Sequence, residues 1–543
     1  MPFCRICGAA LDAGARFCRL CGTAVELQDQ TLVTPSQSLT QPRPIDRFMQ
    51  NLNTPSQIFA YFRLSERVIE YVILPALLLT VLAVKIWLSL QYRMSIWDAY
   101  AYLANAQGFL MGRSPNDPYH FFELLRPPLL PCIIALVWTV TGISYNAAAL
   151  IQPIFTVASA FVFFLLLKEM FGLKPAFIGS MLLLVAPEIF FWTNQILVHA
   201  EVLFFMIIAY YFLWRGVNGK GRYSLQLAGG AVALATLARY TIVLFVPVFI
   251  LLLLPVLVVS YRNQRRYSWI DVGGMALVFL LVWMPWLAWN YMYTLNPLES
   301  VLAGAQFISG SAEPWYFYIA NMSALLTIPG CILLLFGLID GKTIRDKARL
   351  FLLLWLVVFF AFSSLIQHKE IRYILDYAPP LVAFATLGVC KIIGRLPSKT
   401  KILGWILVVL WLTACFYPAV NNSLSDARYT EASYGSYGEF MTVAGWVVVN
   451  TNSTTIGATD IPTALSFQTD RDYYSLEYLT NTAQDRGMTV DQLMSDVGVK
   501  YVVVTTISDY AGSFAHDPNV ILAKRFPTYL VYTFNCLNCT KRT

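Results

Sequence analysis

Trp97-Asp98-Ala99-Tyr100-Ala101-Tyr102, followed after a loop by Arg126-Pro127-Pro128-Leu129-Leu130, is the stretch that decides how this chain is read. It follows directly on a long apolar run and brackets a loop between an acid and an arginine. Asp98, Tyr102 and Asn105 are spaced four and three apart, so on a helix they form one polar stripe, while Ala101, Leu103, Ala104 and Phe109 fill the rest. The spacing predicts a helix lying along a bilayer surface, its acid just outside the hydrocarbon. Polar chemistry at that boundary suits an enzyme whose substrate carries a lipid tail.

Outward from this stretch the chain is apolar. Of its 543 residues, 57% are hydrophobic and only 13% charged, well away from the composition of a soluble domain. A membrane helix needs about 20 apolar residues, and about eleven runs qualify. They lie near 68–90, 145–167, 175–193, 200–214, 223–238, 241–260, 269–290, 320–338, 350–367, 373–390 and 402–418. The net charge of +7 sits mostly in the loops between them, which reports orientation and gives no nucleic-acid signal. Alternate loops carry Lys168 and Lys174, then Arg215, Lys220 and Arg222, then Arg262, Arg265 and Arg266, then Lys342 to Arg349, then Lys391 to Lys401. The loops at 194–200 and 291–319 carry no Lys or Arg. This asymmetry predicts a multi-pass cell-membrane protein with a cytoplasmic N-terminus. Pro127 to Val140 is then half-embedded on the outer face, because counting it as a span would put every basic loop outside. With no apolar core or small-residue cleavage site at the N-terminus, the first span is expected to be an uncleaved anchor.

Four segments follow. Cys4-x2-Cys7 and Cys18-x2-Cys21, each pair trailed by a glycine, offer four thiolates to one structural zinc, so residues 1–26 read as a zinc ribbon. Thiolates of this kind imply a reducing compartment, and such a ribbon could recruit a cytoplasmic protein partner. Residues 27–62, rich in Gln, Pro, Ser and Thr, read as a flexible linker. Residues 63–418 form the transmembrane domain. An odd number of spans leaves 419–543 outside the cytoplasm as a small α/β domain, with strand signals at Thr455–Ala458 and Lys500–Val504 and a hairpin from Ile521–Lys524 and Tyr529–Phe534. Cys132, Cys331, Cys390 and Cys415 fall in or beside apolar runs and read as packing residues. Cys536-x2-Cys539 leaves a disulfide and a metal site both open.

On this topology the ionisable residues Asp98, Glu123 and Arg126, His199 and Glu201, Arg239, and the run His368-Lys369-Glu370-Ile371-Arg372-Tyr373 all reach the outer face. Charges at a membrane boundary are functional when they face a bundle interior. Each has a plainer role available: Asp98 as a helix cap, Glu201 as half of a structural pair, His199 as a hydrogen-bonding neighbour, and Arg239, Lys369 and Arg372 as anchors of span ends.

Trp97-Asp98-Ala99-Tyr100, the loop ending Arg126-Pro127-Pro128-Leu129, Glu201, and His368-x-Glu370-x-Arg372-Tyr373 followed by Pro379-Pro380 together resemble the membrane glycosyltransferases of the GT-C fold. The likeness is greatest to the protein O-mannosyltransferase and lipid A aminoarabinose transferase branch and covers about residues 68–418. It implies transfer of a monosaccharide from a polyprenyl-phosphate carrier to a protein, lipid or glycan acceptor at the outer face. In that reading Asp98 is the catalytic base and Glu201 a second acid that binds the sugar or acceptor or helps hold a divalent ion. Arg126, Arg239 and Arg372 receive the departing phosphate, and Tyr102, His199 and His368 complete the substrate site. Whether the active site uses a metal is left open. Oligosaccharyltransferases share the fold but carry a Trp-Trp-Asp motif that is absent here, which favours single-sugar transfer. A transporter or lipid flippase with a zinc-ribbon regulatory module is the alternative. It predicts charges near mid-membrane and broken spans related by an internal repeat, and the sequence shows neither clearly. A membrane-tethered scaffold would leave this many spans unexplained.

Overall fold

The computed structural model describes residues 66–91, 98–113, 123, 126–245, 269–307, 313–339 and 346–535. The chain divides into two units, Met1–Arg67 and Val68–Thr543. The zinc ribbon expected at Cys4, Cys7, Cys18 and Cys21, the linker behind it, and Cys536 with Cys539 lie outside the described residues.

Among the described residues seven helices are long and apolar enough to cross a membrane: Glu66–Ser89, Tyr145–Phe171, His199–Val217, Ile270–Thr294, Lys347–Leu365, Ile371–Arg395 and Lys401–Asn450. Three further runs expected to span are shorter apolar helices, Leu173–Val185, Ser224–Ala238 and Met322–Leu338. The run 241–260 opens as a 3-10 helix, Tyr240–Phe245, and its remainder is not described. Met322–Leu338 is interrupted at Thr327, whose φ of 63° leaves the helical region two residues before Pro329, where proline removes a backbone donor.

Close helix approach is built on glycine. A Cβ on Gly337 would sit 1.9 Å from the Phe384 carbonyl oxygen, and one on Gly388 would sit 1.9 Å from that of Leu333. Met322–Leu338 and Ala378–Arg395 therefore touch backbone to backbone, the small-residue contact that lets apolar helices pack without a hydrophobic driving force.

Both ends of the bundle carry polar groups, and they differ in kind. At one end Glu169 pairs with Arg215 at 3.4 Å and Lys220 at 3.6 Å, and Lys347 donates to Asn218 at 3.1 Å. His199 lies at the other end of the helix that carries Arg215. Its 19 residues separate the two ends by about 28 Å at 1.5 Å per residue, close to the thickness of a bilayer core.

The last of the spans, Lys401–Asn450, opens with the helix Lys401–Tyr434, whose 34 residues are more than a bilayer requires, continues as the helix Tyr437–Asn450, and carries the chain away from the bundle into a five-stranded sheet. Its strands are β1 (Ile456–Thr459), β2 (Tyr473–Ser475), β3 (Val499–Thr505), β4 (Val520–Arg525) and β5 (Tyr529–Phe534). Their spatial order is β2-β1-β3-β5-β4, with β2, β1 and β3 parallel and β5 antiparallel to both β3 and β4. The near-continuous apolar reading of β3 fits burial on both faces.

The helix Asp98–Met111 forms as the spacing predicts but does not lie on a surface. Every residue from Ala99 to Gly108 is buried. Tyr100 packs against Phe440 and Phe467, with ring centroids 6.5 and 5.7 Å apart, and Trp138 stacks on Phe467 at 5.8 Å. The sequence stripe suggested a free face. Instead Asn105 exchanges hydrogen bonds with the Glu123 backbone and Asp98 meets Arg126 and Arg372, while the opposite face, which carries Tyr100, is covered by residues more than three hundred positions later in the chain, which periodicity alone does not reveal.

Candidate active site

Five segments bring their ends to one place. Asp98 opens its helix, Arg126 precedes Leu129–Thr141, His199 opens its span, Arg239 ends Ser224–Ala238, and Arg372 lies in the 3-10 turn Ile371–Tyr377 ahead of Ala378–Arg395. Helices that alternate in direction deliver alternate ends to the same level, so residues far apart in sequence meet.

Asp98 is the hub. One carboxylate oxygen is 2.9 Å from Arg126 Nη1 and the other accepts from Arg372 Nη1 at 3.0 Å. Each arginine has a second acid: Arg126 donates from Nε to Glu123 at 2.7 Å, and Arg372 donates from Nη2 to Glu370 at 2.9 Å. Burial pushes the Asp98 carboxyl up, but the charges and hydrogen bonds of Arg126 and Arg372 more than offset it and hold the group below its ordinary value. Glu370 is likewise held down, burial being outweighed by Arg372 and then His368.

A second cluster adjoins the first. Arg239 donates to Asp376 at 2.7 Å and to His199 Nδ1 at 2.6 Å. An arginine only donates, so Nδ1 of His199 accepts and the ring is neutral there. Two guanidiniums lie over the Tyr373 ring, Arg239 at 5.2 Å and Arg372 at 5.8 Å, and Arg372 also lies 5.7 Å from the Trp192 ring. Aromatic faces hold these cations in place without neutralising them.

Asp98, Tyr102, Arg126, His199, Arg239 and Arg372 line one open cavity of about 240 Å³ with a mainly apolar wall. Six of the eight residues expected to form the site are thus brought together. Glu201 and His368 are not on this wall. Glu201 is fully buried one helical step behind, taking a 2.8 Å hydrogen bond from Gln152, with its Oε2 lacking a partner. His368 bonds Glu370 through Nε2 at 2.9 Å, and Glu370 in turn bonds Arg372 on the wall. Sequence reasoning missed Asp376, which answers Arg239. The available signal was its place one helical turn after Arg372 in a segment already marked by charge. Among the described residues no group of three or more His, Cys, Asp or Glu is arranged to hold a metal ion.

A second cavity, of about 860 Å³, shares Asp98 and Arg126 with the first and extends to the sheet. The two residues therefore stand where the two cavities meet.

Residues 125–289 match the family model described as dolichyl-phosphate-mannose-protein mannosyltransferase. An undecaprenyl phosphate-alpha-4-amino-4-deoxy-L-arabinose arabinosyl transferase from Proteus mirabilis is 26% identical over 223 residues, which is 39% of this chain and 38% of the relative. GPI mannosyltransferase 3 of Candida albicans is 28% identical over 228 residues, or 40% and 43%. The chain thus spans about two-fifths of the length of these curated relatives. In structure it is similar to ArnT from Cupriavidus metallidurans bound to undecaprenyl phosphate, with a TM-score of 0.65, 14% identity, and coverage of 86% of this chain and 99% of that one. The Archaeoglobus fulgidus oligosaccharyltransferase gives a TM-score of 0.55 at 14% identity, covering 80% and 69%. These likenesses establish the GT-C fold.

Proposed function

We propose that this chain is a membrane glycosyltransferase that moves a monosaccharide from a polyprenyl-phosphate carrier to an acceptor hydroxyl on the side of the membrane opposite the cytoplasm. The observation that carries the reading is the single cavity on which Asp98 and three arginines converge beside an apolar wall. A phosphate on a lipid tail needs that combination of cations and hydrocarbon contact. The relatives named for undecaprenyl-phosphate-linked and dolichyl-phosphate-linked sugars support the donor class. The basic residues gathered at the far end of the bundle support the orientation.

In the proposed step the acceptor oxygen attacks the anomeric carbon and forms the new glycosidic bond. The bond to the phosphate oxygen breaks, its electron pair stays on the phosphate, and the acceptor proton passes to Asp98, with inversion at carbon. Arg126, Arg239 and Arg372 stabilise the charge that develops on the leaving group, an interaction that strengthens in a poorly hydrated site. The arginine fork matches phosphate oxygens. In the free protein Asp98 is ionised and therefore able to accept a proton, but its two arginines make it a weak base. A bound phosphate would draw those guanidiniums to itself and return basicity to Asp98 when the substrate is in place. Residues 1–26 would hold one structural zinc through Cys4, Cys7, Cys18 and Cys21.

The test is transfer by purified protein in lipid, supplied with polyprenyl-phosphate mannose or glucose and mixed acceptors. The expected result is release of polyprenyl phosphate by the parent and loss of release in Asp98→Asn with donor binding retained. Failure of the parent to turn over or bind any polyprenyl-phosphate sugar would reject the reading and return the flippase alternative.

A further inference from the structure

The larger cavity has a place in the fold that its size alone does not convey. Ser475 ends β2, Asp460 follows β1, and Thr505 ends β3, so the cavity lies at the carboxyl ends of three neighbouring parallel strands. After β1 the chain crosses to β2 on one side, and it then returns to β3 on the other. The gap between β1 and β3 is therefore a topological switch point, where connections leave in opposite directions and open a crevice that ligands occupy in open α/β sheets. Asp460 and Thr505 face each other across it: the Thr505 backbone N–H donates to Asp460 at 3.0 Å, and its hydroxyl donates to the same oxygen. The crevice opens onto Asp98 and Arg126.

We infer that this switch-point crevice binds the acceptor, and that the acceptor is an uncharged, hydroxyl-rich glycan. The inference rests on the transferase reading above and names the substrate that such an enzyme would take. Four carboxylates, Asp98, Asp460, Glu477 and Asp509, face one cation on the described wall, and that cation, Arg126, is held by Asp98 and Glu123 in the free protein and is taken by the donor phosphate on the reading above. An anionic acceptor would meet like charge with nothing spare to answer it. The helix starts at Pro462, Leu476 and Asp509 do not reverse this: Glu477 and Asp509 lie in the first turns of the second and third, Asp460 lies two residues before the first, and Ser475 and Ser508 accept from the Tyr478 and Tyr510 N–H groups. Carboxylates that only accept, the Thr463 hydroxyl that also donates, and the aromatic surfaces of Tyr434 and Tyr510 match the alternating hydroxyls and apolar face of a sugar ring. A peptide acceptor read through its backbone would seek a sheet edge, and β2 and β4 hold the edges of this sheet.

The experiment is calorimetric titration of the full chain in lipid nanodiscs with neutral manno-, gluco- and galacto-trisaccharides, their 6-phosphates, and a Ser/Thr-rich peptide. Polyprenyl phosphate is titrated separately as a report on the smaller cavity. At least one neutral trisaccharide is expected to bind, with its phosphate about tenfold weaker or worse and the peptide silent. Asp509→Asn and Glu477→Gln, at exposed positions, are expected to narrow that discrimination. Asp460→Asn is expected to weaken the neutral sugar about tenfold, the cost of a charge-assisted hydrogen bond. Polyprenyl phosphate binding with no neutral trisaccharide bound, a phosphorylated sugar or peptide bound as well or better, or unchanged selectivity in both surface variants would overturn the assignment. Neutral sugar bound without polyprenyl phosphate would keep the crevice as a glycan site and reject the donor reading instead.

Discussion

Asp98 and Glu201 are both carboxylates near the same end of the bundle, and the sequence pointed to both as catalytic. Asp98 lines a cavity and is bracketed by two guanidiniums within 3.0 Å. Glu201 is sealed among helices with an amide for its partner and one oxygen with none. The first is costly to keep only until its arginines are counted, because paired charge in a poorly hydrated site is stable where an isolated charge is not. The second has a neutral amide for its partner, so the two acids stand in different electrostatic surroundings. An acid at a membrane boundary becomes a reagent through its neighbours, and its position in the sequence does not specify them.

The contrast can be broken experimentally, most sharply at its acid. Asp98→Asn should lower transfer by about a thousandfold, within the range measured for removal of a positioned base, as read by release of polyprenyl phosphate at saturating donor. A loss of less than tenfold would remove Asp98 from the proton transfer. Arg372→Gln removes one cation from the cavity and should weaken polyprenyl-phosphate binding by about tenfold to a hundredfold, the scale of a charged hydrogen bond. Equal donor affinity in the variant would show that the phosphate lies elsewhere.

The pH profile sharpens the same comparison. A carboxylate with a depressed value keeps its ion pairs above the ordinary aspartate value of about 3.9 and loses them only as the pH falls through its own lower value. The acidic limb of kcat/KM, which reports the free protein, should therefore lie below that ordinary value. The limb of kcat should lie higher, because donor phosphate competes for Arg126 and Arg372. Coincident limbs would mean that the donor leaves the Asp98 pairs intact. At the ribbon, metal analysis should find about one zinc per chain, four thiolates making one tetrahedral site, and Cys4→Ser with Cys21→Ser should abolish it. The smallest effect belongs to Glu201→Gln, which keeps the shape and should leave transfer within about threefold, a change of well under 1 kcal/mol. A large loss there would return Glu201 to the chemistry.

Legibility followed distance along the chain. Helix positions, the polar ends of the helices, and the arginines at those ends could be read because apolar periodicity and charge placement are local properties. Asp376 was passed over, although it follows Arg372 by one turn, because nothing nearby in the sequence names its partner. Its role appears only when Arg239, 137 residues earlier, reaches it. The Asp98–Met111 helix was assigned the wrong surroundings for the same reason, since Phe440 and Phe467 cover it from the far end of the chain.

By itself the sequence determined that the chain is a multi-pass membrane protein, which residues stand at the helix ends, and which residue types could meet a lipid-linked phosphate. These follow from hydropathy and charge counted along one dimension. The tertiary structure decided which of those residues share a cavity, that Asp98 is held between two arginines while Glu201 is not, and that the strand ends open a second chamber beside them. Those are matters of convergence in space, and the electrostatic character of a carboxylate depends on what lies within a few ångströms of it, however distant in sequence.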